Sequence, residues 1–289
     1  MTTFAKVAAV LAFAPLALPS ASSAPATPDA ATTTFPSTDA KVTAFNPAPQ
    51  RPDIFNGFSM SGAMAEATWS VVPSPNKGPA SDDNDLESVS CTSASACTAV
   101  GDFASATITK TLVESWDGTR WSVVPSPNEG PASGSNELWG VSCRSASACT
   151  AVGNIITNGN HYKTLVESWD GTRWSVVPSP NGPNEGEPNY DQLWDVSCPS
   201  ASACTAVGSF GYSSDETLVE SWNGARWSVV PSPDVGLAFD HNDLLGVSCT
   251  SASLCTAVGS FAPNYVFTTT GDMTLVESWD GAKGPSVET

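Results

Sequence analysis

The sequence repeats a block of about fifty residues four times, and no other feature constrains its fold as strongly. The phrase WSVVPSP starts at four tryptophans that are 52, 53 and 53 residues apart, namely Trp69, Trp121, Trp174 and Trp227. Two further phrases, VSCxxxxxCTAVG and TLVESW, follow each time in the same order. Repeats of this length are typical of supersecondary units that bury their hydrophobic faces only by packing against one another.

Each repeat predicts four short antiparallel strands. In the first repeat these strands cover residues 86–91, 97–103, 111–116 and 121–124. Valine, threonine, tryptophan and leucine favour the pleated and half-buried surface of a sheet, and the prolines after the fourth strand end the pairing. Asp-Gly or Asn-Gly stands between the third and fourth strands of every repeat, which predicts a tight hairpin there. No stretch of the repeats has helical periodicity.

Four antiparallel strands that recur at this period are the signature of a β-propeller blade. We therefore predict an all-β chain that forms a propeller of four blades, each of four antiparallel strands. A lone fourth-strand phrase at residues 69–72 precedes the first blade, and the phrase does not recur after Gly281. The amino-terminal strand is accordingly predicted to close the last blade. A solenoid-like stack and a larger ring built by two chains use the same strands and stay open as alternatives.

The phrases VSCxSASxCTAVG and ESWxGxxWSVVPSPN resemble the tandem repeats of secreted actinobacterial proteins that are regarded as kelch-like β-propellers. The resemblance covers residues 69–281 of this chain. It implies a propeller fold and a protein outside the cell. Because no biochemical activity is defined for these proteins, the resemblance implies no particular function.

The eight cysteines form four pairs, and each pair brackets the turn between the first and second strands of a repeat. The pairs are Cys91 and Cys97, Cys143 and Cys149, Cys198 and Cys204, and Cys249 and Cys255. An even number of cysteines at one repeated spacing, in a chain with secretory features, predicts four disulfides. Zinc is the alternative, but the C-x5-C spacing is wider than that of zinc sites and no matching histidines accompany it.

The first 65 residues differ in composition from the repeats. Residues 1–26 read as a secretory signal peptide, with Lys6 as the positive charge, an apolar stretch at 7–18 and small residues after it. That stretch is shorter than the ~20 residues of a membrane-spanning helix, so no membrane span is predicted. Residues 27–65 form a Pro-, Ala- and Thr-rich linker, and residues 66–289 carry the repeats. The protein is therefore predicted to be secreted and extracellular.

The charge balance excludes some classes of partner. The chain has 29 Asp and Glu against 11 Lys and Arg, a formal net charge of −18. Proteins that bind nucleic acid need clustered basic residues to neutralise phosphates, so a nucleic-acid partner is not predicted.

The loops at one end of the blades differ from repeat to repeat, whereas the turns at the other end are nearly uniform. Binding residues concentrate in loops on a rigid scaffold, so this variable loop face is the predicted ligand face. The alternative explanation of the loop differences is neutral variation of exposed residues. For the tryptophans, the alternative to ligand binding is packing in the core. The candidate ligand-binding residues on this face are His161, Tyr162, Trp139, Trp194, Tyr212 and Tyr265.

Acidic segments precede the first strand of each blade on the same face. Their candidate metal ligands are Asp83, Asp85, Asp191 and Asp243. Carboxylates that converge from several blades suit a hard cation such as Ca²⁺, although no complete Ca²⁺-binding loop is present. Solvated acidic loops are the alternative. No other cofactor is predicted.

The sequence favours a secreted, non-catalytic binding module that recognises an extracellular glycan or a protein through its variable loop face. One alternative is a propeller enzyme acting on polysaccharide, a glycosidase or lyase. Its candidate acids are the non-repeated Asp102, Asp195, Asp215 and Asp272. The glutamate of TLVESW recurs in every blade and is interpreted as structural. A purely structural protein of the cell envelope is the other alternative, and the sequence does not predict the oligomeric state.

Overall fold

The computed structural model of the chain describes residues 69–105, 108–157, 161–183, 190–211, 214–236, 240–263, 271–281 and 286–288. The predicted signal peptide (1–26) and linker (27–65) lie outside the described residues. Across the described ranges all regular structure is β-strand, and none of it forms a helix long and apolar enough to cross a membrane.

The strands of the described residues form four sheets. Blade 1 contains β1 (Asn84–Ser93), β2 (Ala96–Ser105), β3 (Ile108–Trp116) and β4 (Trp121–Val123). Blade 2 contains β5 (Ser135–Ser145), β6 (Ala148–Thr157), β7 (His161–Trp169) and β8 (Trp174–Val176). Blade 3 contains β9 (Gln192–Ser200), β10 (Ala203–Gly211), β11 (Asp215–Trp222) and β12 (Trp227–Val230). Blade 4 contains β13 (His241–Ser251), β14 (Leu254–Ala262), β15 (Met273–Trp279) and β16 (Ser286–Glu288).

In every blade the strands lie side by side in chain order, and each neighbouring pair is antiparallel. The predicted all-β, four-bladed β-propeller fold is confirmed. The strands follow the repeated phrases and extend a few residues beyond several of them.

The hairpin between the third and fourth strands forms as its Asp-Gly sequence predicts. Gly118 has a φ of 93°, a conformation that glycine adopts without steric cost. Asp117 Oδ1 accepts hydrogen bonds from the backbone N–H and the hydroxyl of Thr119 and from the backbone N–H of Arg120. These bonds hold the pKa of Asp117 well below its usual range, at about 2. The same turn recurs at Gly171.

All four predicted disulfides are present and join the first and second strands of each blade, and in blades 1, 2 and 4 the two cysteines lie directly opposite each other. The bonds are Cys91–Cys97, Cys143–Cys149, Cys198–Cys204 and Cys249–Cys255. Closing a loop of this size contributes about 2 kcal/mol per bond in the chain-entropy model. Disulfides persist in oxidising compartments, so these four bonds are consistent with a protein of an oxidising compartment.

The hydrophobic core lies mainly between neighbouring blades. Val152 of blade 2 packs against Leu193 and Val196 of blade 3, and Val207 of blade 3 packs against Leu244 of blade 4. Leu193 and Leu244 are fully buried. A fully buried leucine contributes about 1.5–3 kcal/mol of hydrophobic free energy, so these blade junctions stabilise the array of blades.

A repeated hydrogen bond also ties each blade to the segment that precedes it. The second serine of each WSVVPSP phrase donates a hydrogen bond to the glutamate of the next TLVESW phrase. The pairs are Ser74 to Glu114 (2.6 Å), Ser126 to Glu167 (2.6 Å), Ser179 to Glu220 (2.5 Å) and Ser232 to Glu277 (2.5 Å). Burial raises the pKa of Glu167 to about 7 and that of Glu220 to about 8. These glutamates have the structural role that their repetition indicates.

The structure corrects one detail of the prediction, the closure of the last blade by the amino-terminal strand. Residues 69–72 form no strand, and Trp69 and Val71 are fully exposed. The fourth strand of blade 4 is instead β16, in which Val287 lies opposite Glu277. The physical reason is that Ser74 holds the amino-terminal segment on blade 1, whereas β1 of blade 1 does not pack against β13 of blade 4 as it does against β5.

Candidate functional site

The junction between blades 2 and 3 brings two predicted ligand-binding residues together. Trp139 lies on β5 and Trp194 occupies the equivalent position on β9. Their ring centroids are 5.2 Å apart and the ring planes are inclined by 57°. Both side chains are half-buried, so each keeps part of its ring surface in contact with solvent.

A network of polar side chains orients this tryptophan pair. Trp139 Nε1 donates to Asn154 Oδ1 at 2.7 Å, and Asn154 Nδ2 donates to Glu137 Oε2 at 3.1 Å. Gln192 Nε2 lies 3.4 Å from the same Asn154 oxygen. Trp194 Nε1 is buried and has no acceptor among the described residues. The network therefore leaves one hydrogen-bond donor unused.

A second aromatic pair borders the same network. Tyr162 on β7 and Tyr190, just before β9, have ring centroids 5.0 Å apart and form an isolated parallel bridge. The pKa of the Tyr162 hydroxyl is raised by burial and then by the carboxylate of Glu137. Glu137 thus acts on Tyr162 and accepts a hydrogen bond from the amide that holds Trp139. We call Trp139, Trp194, Tyr162 and Tyr190 together the aromatic surface.

Carboxylates give the neighbourhood of the aromatic surface a negative potential. The pKa of Asp102 is raised to about 6 by burial first, and then by Glu137, Asp85 and Glu87. Burial also raises the pKa of Glu137, which the hydrogen bond from Asn154 opposes. The position therefore disfavours an anionic ligand.

Sequence reasoning missed Asn154, Tyr190 and Gln192. Asn154 stands where the other repeats carry Asp102, Ser209 and Ser260, so its departure from the repeat was a usable signal. Tyr190 gave no such signal, because only the packing of blade 2 on blade 3 places it against Tyr162.

The other candidate ligand-binding residues are less informative. His161 begins β7 opposite Thr157, whose hydroxyl donates to the His161 carbonyl at 3.2 Å. Tyr212 and Tyr265 lie outside the described residues.

The structure does not bring the four candidate metal ligands into one group. Asp191 is buried, which raises its pKa to about 6. The pKa of Asp243 is raised by burial and lowered by a hydrogen bond from Ser209. The Asp83 carbonyl accepts the backbone N–H of Ala104, and Asp85 lies opposite Asp102 in the β1–β2 register. In the described part of the chain, no three His, Cys, Asp or Glu side chains are grouped so that they could hold a metal ion.

Two of the candidate catalytic acids have structural partners. Asp195 accepts the backbone N–H of Val196 at 2.8 Å and that of Val247, in blade 4, at 2.9 Å. Asp215 Oδ2 lies 2.8 Å from Nδ1 of His241. Asp195 thus joins blade 3 to blade 4. The pKa of Asp102 is raised in part by Glu137, the carboxylate that bonds to Asn154 beside Trp139.

Comparison with known proteins gives no family assignment. No family model matches the chain, and no curated protein sequence matches it. Among solved structures, YCF48 bound to D1 peptide is similar with a TM-score of 0.40 and 12% identity, over 75% of this chain and 59% of that one. An alpha-L-arabinanase from Penicillium chrysogenum, complexed with arabinobiose, is similar with a TM-score of 0.45 and 12% identity, over 66% of this chain and 63% of that one. The chain thus spans less than two thirds of the length of either structure.

Proposed function

We propose that this protein is a secreted binding module that recognises a neutral extracellular glycan through the aromatic surface of blades 2 and 3. One observation carries the proposal. The packing of blade 2 on blade 3 forms two half-buried aromatic pairs, Trp139 with Trp194 and Tyr162 with Tyr190, and Glu137 interacts both with Asn154, which holds Trp139, and with Tyr162.

The chemistry of this position suits a sugar ring. Aromatic rings present large apolar faces on which the C–H face of a sugar can pack. Ligand sites combine such faces with a few placed polar groups that fix orientation. The half-buried Gln192 and Glu137 supply a donor and an acceptor close to Trp139, while the fully buried Asn154 holds Trp139 in place.

Charge selects the kind of glycan. Glu137 accepts a hydrogen bond from the amide that holds Trp139, Glu137 in turn raises the pKa of Asp102, and the whole chain carries a formal charge of −18. Juxtaposed like charges oppose binding, so uronate-rich or sulfated polymers are disfavoured. A neutral polysaccharide meets no such penalty.

The proposed location outside the cell rests on two features. Four disulfides suit an oxidising compartment. The amino-terminal 26 residues have the composition of a signal peptide.

Replacing Trp194 by alanine is expected to weaken glycan binding by about 5- to 150-fold. Loss of one packed aromatic ring in a binding site costs roughly 1–3 kcal/mol, and about 1.4 kcal/mol corresponds to a factor of ten in Kd. The measurement is calorimetric titration with soluble glucan, xylan and mannan, with polygalacturonate and alginate as acidic polymers. Wild-type protein should bind a neutral polymer and neither acidic one.

The matched control is Leu245→Ala. Leu245 occupies on blade 4 the position of Trp139 and Trp194, is exposed, and lies outside the aromatic surface. This variant should bind as tightly as the wild type. Absence of binding to every neutral polymer, or equal weakening by both variants, would contradict glycan recognition at this surface and leave a protein ligand as the next hypothesis.

A polysaccharide-cleaving enzyme is the second candidate function, and one observation favours it. Burial raises the pKa of Asp102 to about 6, so this carboxyl keeps its proton below about pH 6, as a general acid requires, and Glu137 is a second carboxylate that interacts with it. If this function holds, the wild type releases reducing ends from the bound polymer. Asp102→Asn and Glu137→Gln then abolish release while binding persists. Wild-type protein that binds the polymer without releasing reducing ends would exclude cleavage of that polymer.

A further inference from the structure

The tryptophan that begins the fourth strand of a blade packs against the preceding blade. Trp174 of blade 2 contacts the core that contains Val100 and Val113 of blade 1. Trp227 of blade 3 contacts the core that contains Val152 and Val166 of blade 2. Trp174 and Trp227 are buried, with 6% exposure each. Trp121 of blade 1 is only half-buried, and among the described strands no other blade packs extensively against β4.

Blade 4 has a cavity at the position where this tryptophan packs in the other blades. The cavity measures about 140 Å³ and lies between blades 3 and 4. Thr205, Ser221 and Trp279 line it, at the repeat positions of Thr150, Ser168 and Trp222, which line the groove beside Trp227. The cavity therefore has the lining of a tryptophan site but holds no tryptophan from the described residues.

Trp69 is the unplaced tryptophan of the same repeated phrase. It begins a WSVVPSP copy and is fully exposed. In blades 1 to 3, the tryptophan of the WSVV phrase lies opposite the tryptophan of TLVESW. In blade 1, for example, Trp121 lies opposite Trp116. That register would place Trp69 opposite Trp279, and Val71 opposite Glu277, where Val287 of β16 now lies.

The segment after Trp69 is already anchored in the geometry of a blade junction. Ser74 donates to Glu114 of blade 1 at 2.6 Å, as Ser232 does to Glu277 of blade 4 at 2.5 Å. Five residues before Ser232, Trp227 lies in blade 3, the preceding blade. By the same spacing, Trp69 requires a blade directly before blade 1.

The two outer faces of the blade array are the complementary halves of such a junction. Val258 of blade 4 is 49% exposed, whereas Val100, Val152 and Val207 at the same repeat position are buried against the next blade. On the opposite side, Leu86 and Val89 of blade 1 are 43% and 59% exposed, although their counterparts Leu138 and Val141 are buried. The hydroxyl of Ser197 in blade 3 accepts a hydrogen bond from the backbone N–H of Cys249 in blade 4. Ser248 has the same repeat position in blade 4 and is exposed.

We propose that a second copy of this chain covers these faces by reciprocal strand exchange. Residues 69–72 of each copy displace the short β16 of the other, pair with its β15 and insert Trp69 into its cavity. The outer face of blade 4 then packs on blade 1 of the partner, and two such contacts related by a twofold axis close a ring of eight blades.

A second copy suits the faces better than blade 4 of the same chain does. Within the chain, β1 packs extensively against β5, β5 against β9 and β9 against β13, but β1 and β13 have no extensive contact. Closure within one chain would require these three buried junctions to repack. Docking of a second copy repeats the existing junction and leaves the others unchanged.

The molar mass in solution tests this proposal, measured by light scattering on the chromatographed protein. The wild type is expected at the mass of two chains. Trp69→Ala should give the mass of one chain, because the exposed tryptophan contributes nothing to the folding of a single copy. Ser70→Ala, the neighbouring change, leaves the pairing backbone and the tryptophan in place and should keep two chains. A wild-type mass of one chain, or of three or more, overturns the proposal, as does a Trp69→Ala variant that remains at two.

A second pair of variants tests the face independently of the strand. Val258→Glu places a charge on a surface that is exposed in one copy and buried in the proposed pair, and it should give single chains. Met273→Glu introduces the same charge at another exposed position, where the third repeat naturally carries Glu216, and should remain at two chains. If both variants have the molar mass of two chains, the proposed contact is contradicted.

Discussion

Replacing Leu193 by alanine is expected to lower the free energy of unfolding by about 3–5 kcal/mol. Leu193 is fully buried in the junction between blades 2 and 3, in a cluster with Val152 and Trp227. Truncation removes buried methyl groups and leaves a cavity that the rigid sheets on either side cannot fill. Urea denaturation with the disulfides intact measures the change.

Leu254→Ala is the matched control for this variant. Leu254 is 53% exposed at the start of β14, and the other three repeats already carry alanine at its position. Its replacement should change the free energy of unfolding by less than about 0.5 kcal/mol. If Leu193→Ala costs as little as Leu254→Ala, the core does not lie between the blades.

The free energy of unfolding should fall as pH rises from 5 to 8. Burial raises the pKa of Glu220 to about 8 and that of Glu167 to about 7, so the folded protein holds protons that the unfolded chain releases above its ordinary glutamate pKa of 4.5. Stability therefore declines with rising pH in this window, by about 1.4 kcal/mol per unit for each group that remains protonated only when folded. For Glu220 alone, the loss between pH 5 and 8 is on the order of 4 kcal/mol.

Glu220→Gln should remove most of this group's contribution to the slope. The amide is neutral at every pH, and its oxygen can still accept the hydrogen bond from Ser179. Glu129→Gln removes one carboxylate at an exposed position and should leave the slope unchanged. Unfolding curves at pH 5, 6, 7 and 8 supply the comparison. A wild type whose stability rises over this range, or a Glu220→Gln variant with the wild-type slope, would show that these carboxyls are not desolvated.

The repeat period, the hairpin sequences and the cysteine spacing were enough to predict the blades and the disulfides, because each is a local property of one repeat. Asp117 and Gly118 dictate the same turn wherever the pair recurs. Cys91 and Cys97 lie close in sequence across a single turn. These features do not depend on how one blade is placed against the next.

Features that depend on the angle between blades could not be predicted in the same way. The repeat pattern pairs residues 69–72 with the last blade. It does not determine whether blade 4 reaches blade 1, so that a fourth junction closes the ring within one chain. In the structure, β1 and β13 do not pack against each other as the first strands of neighbouring blades do. The sequence selected Trp139, Trp194 and Tyr162 as candidate ligand-binding residues, whereas the contact of Tyr162 with Tyr190 joins two segments of different character and required the structure.

Recognition at the aromatic surface is the central claim, and hydroxyl-radical footprinting tests it most directly. The oxidation rates of tryptophan and tyrosine side chains are compared with and without saturating hexasaccharides of glucose, xylose and mannose. We expect at least one neutral sugar to protect Trp139, Trp194, Tyr162 and Tyr190, while the hairpin residue Trp116 keeps its rate. Unchanged rates at the aromatic surface with all three sugars, or protection of Trp116 instead, would contradict the claim.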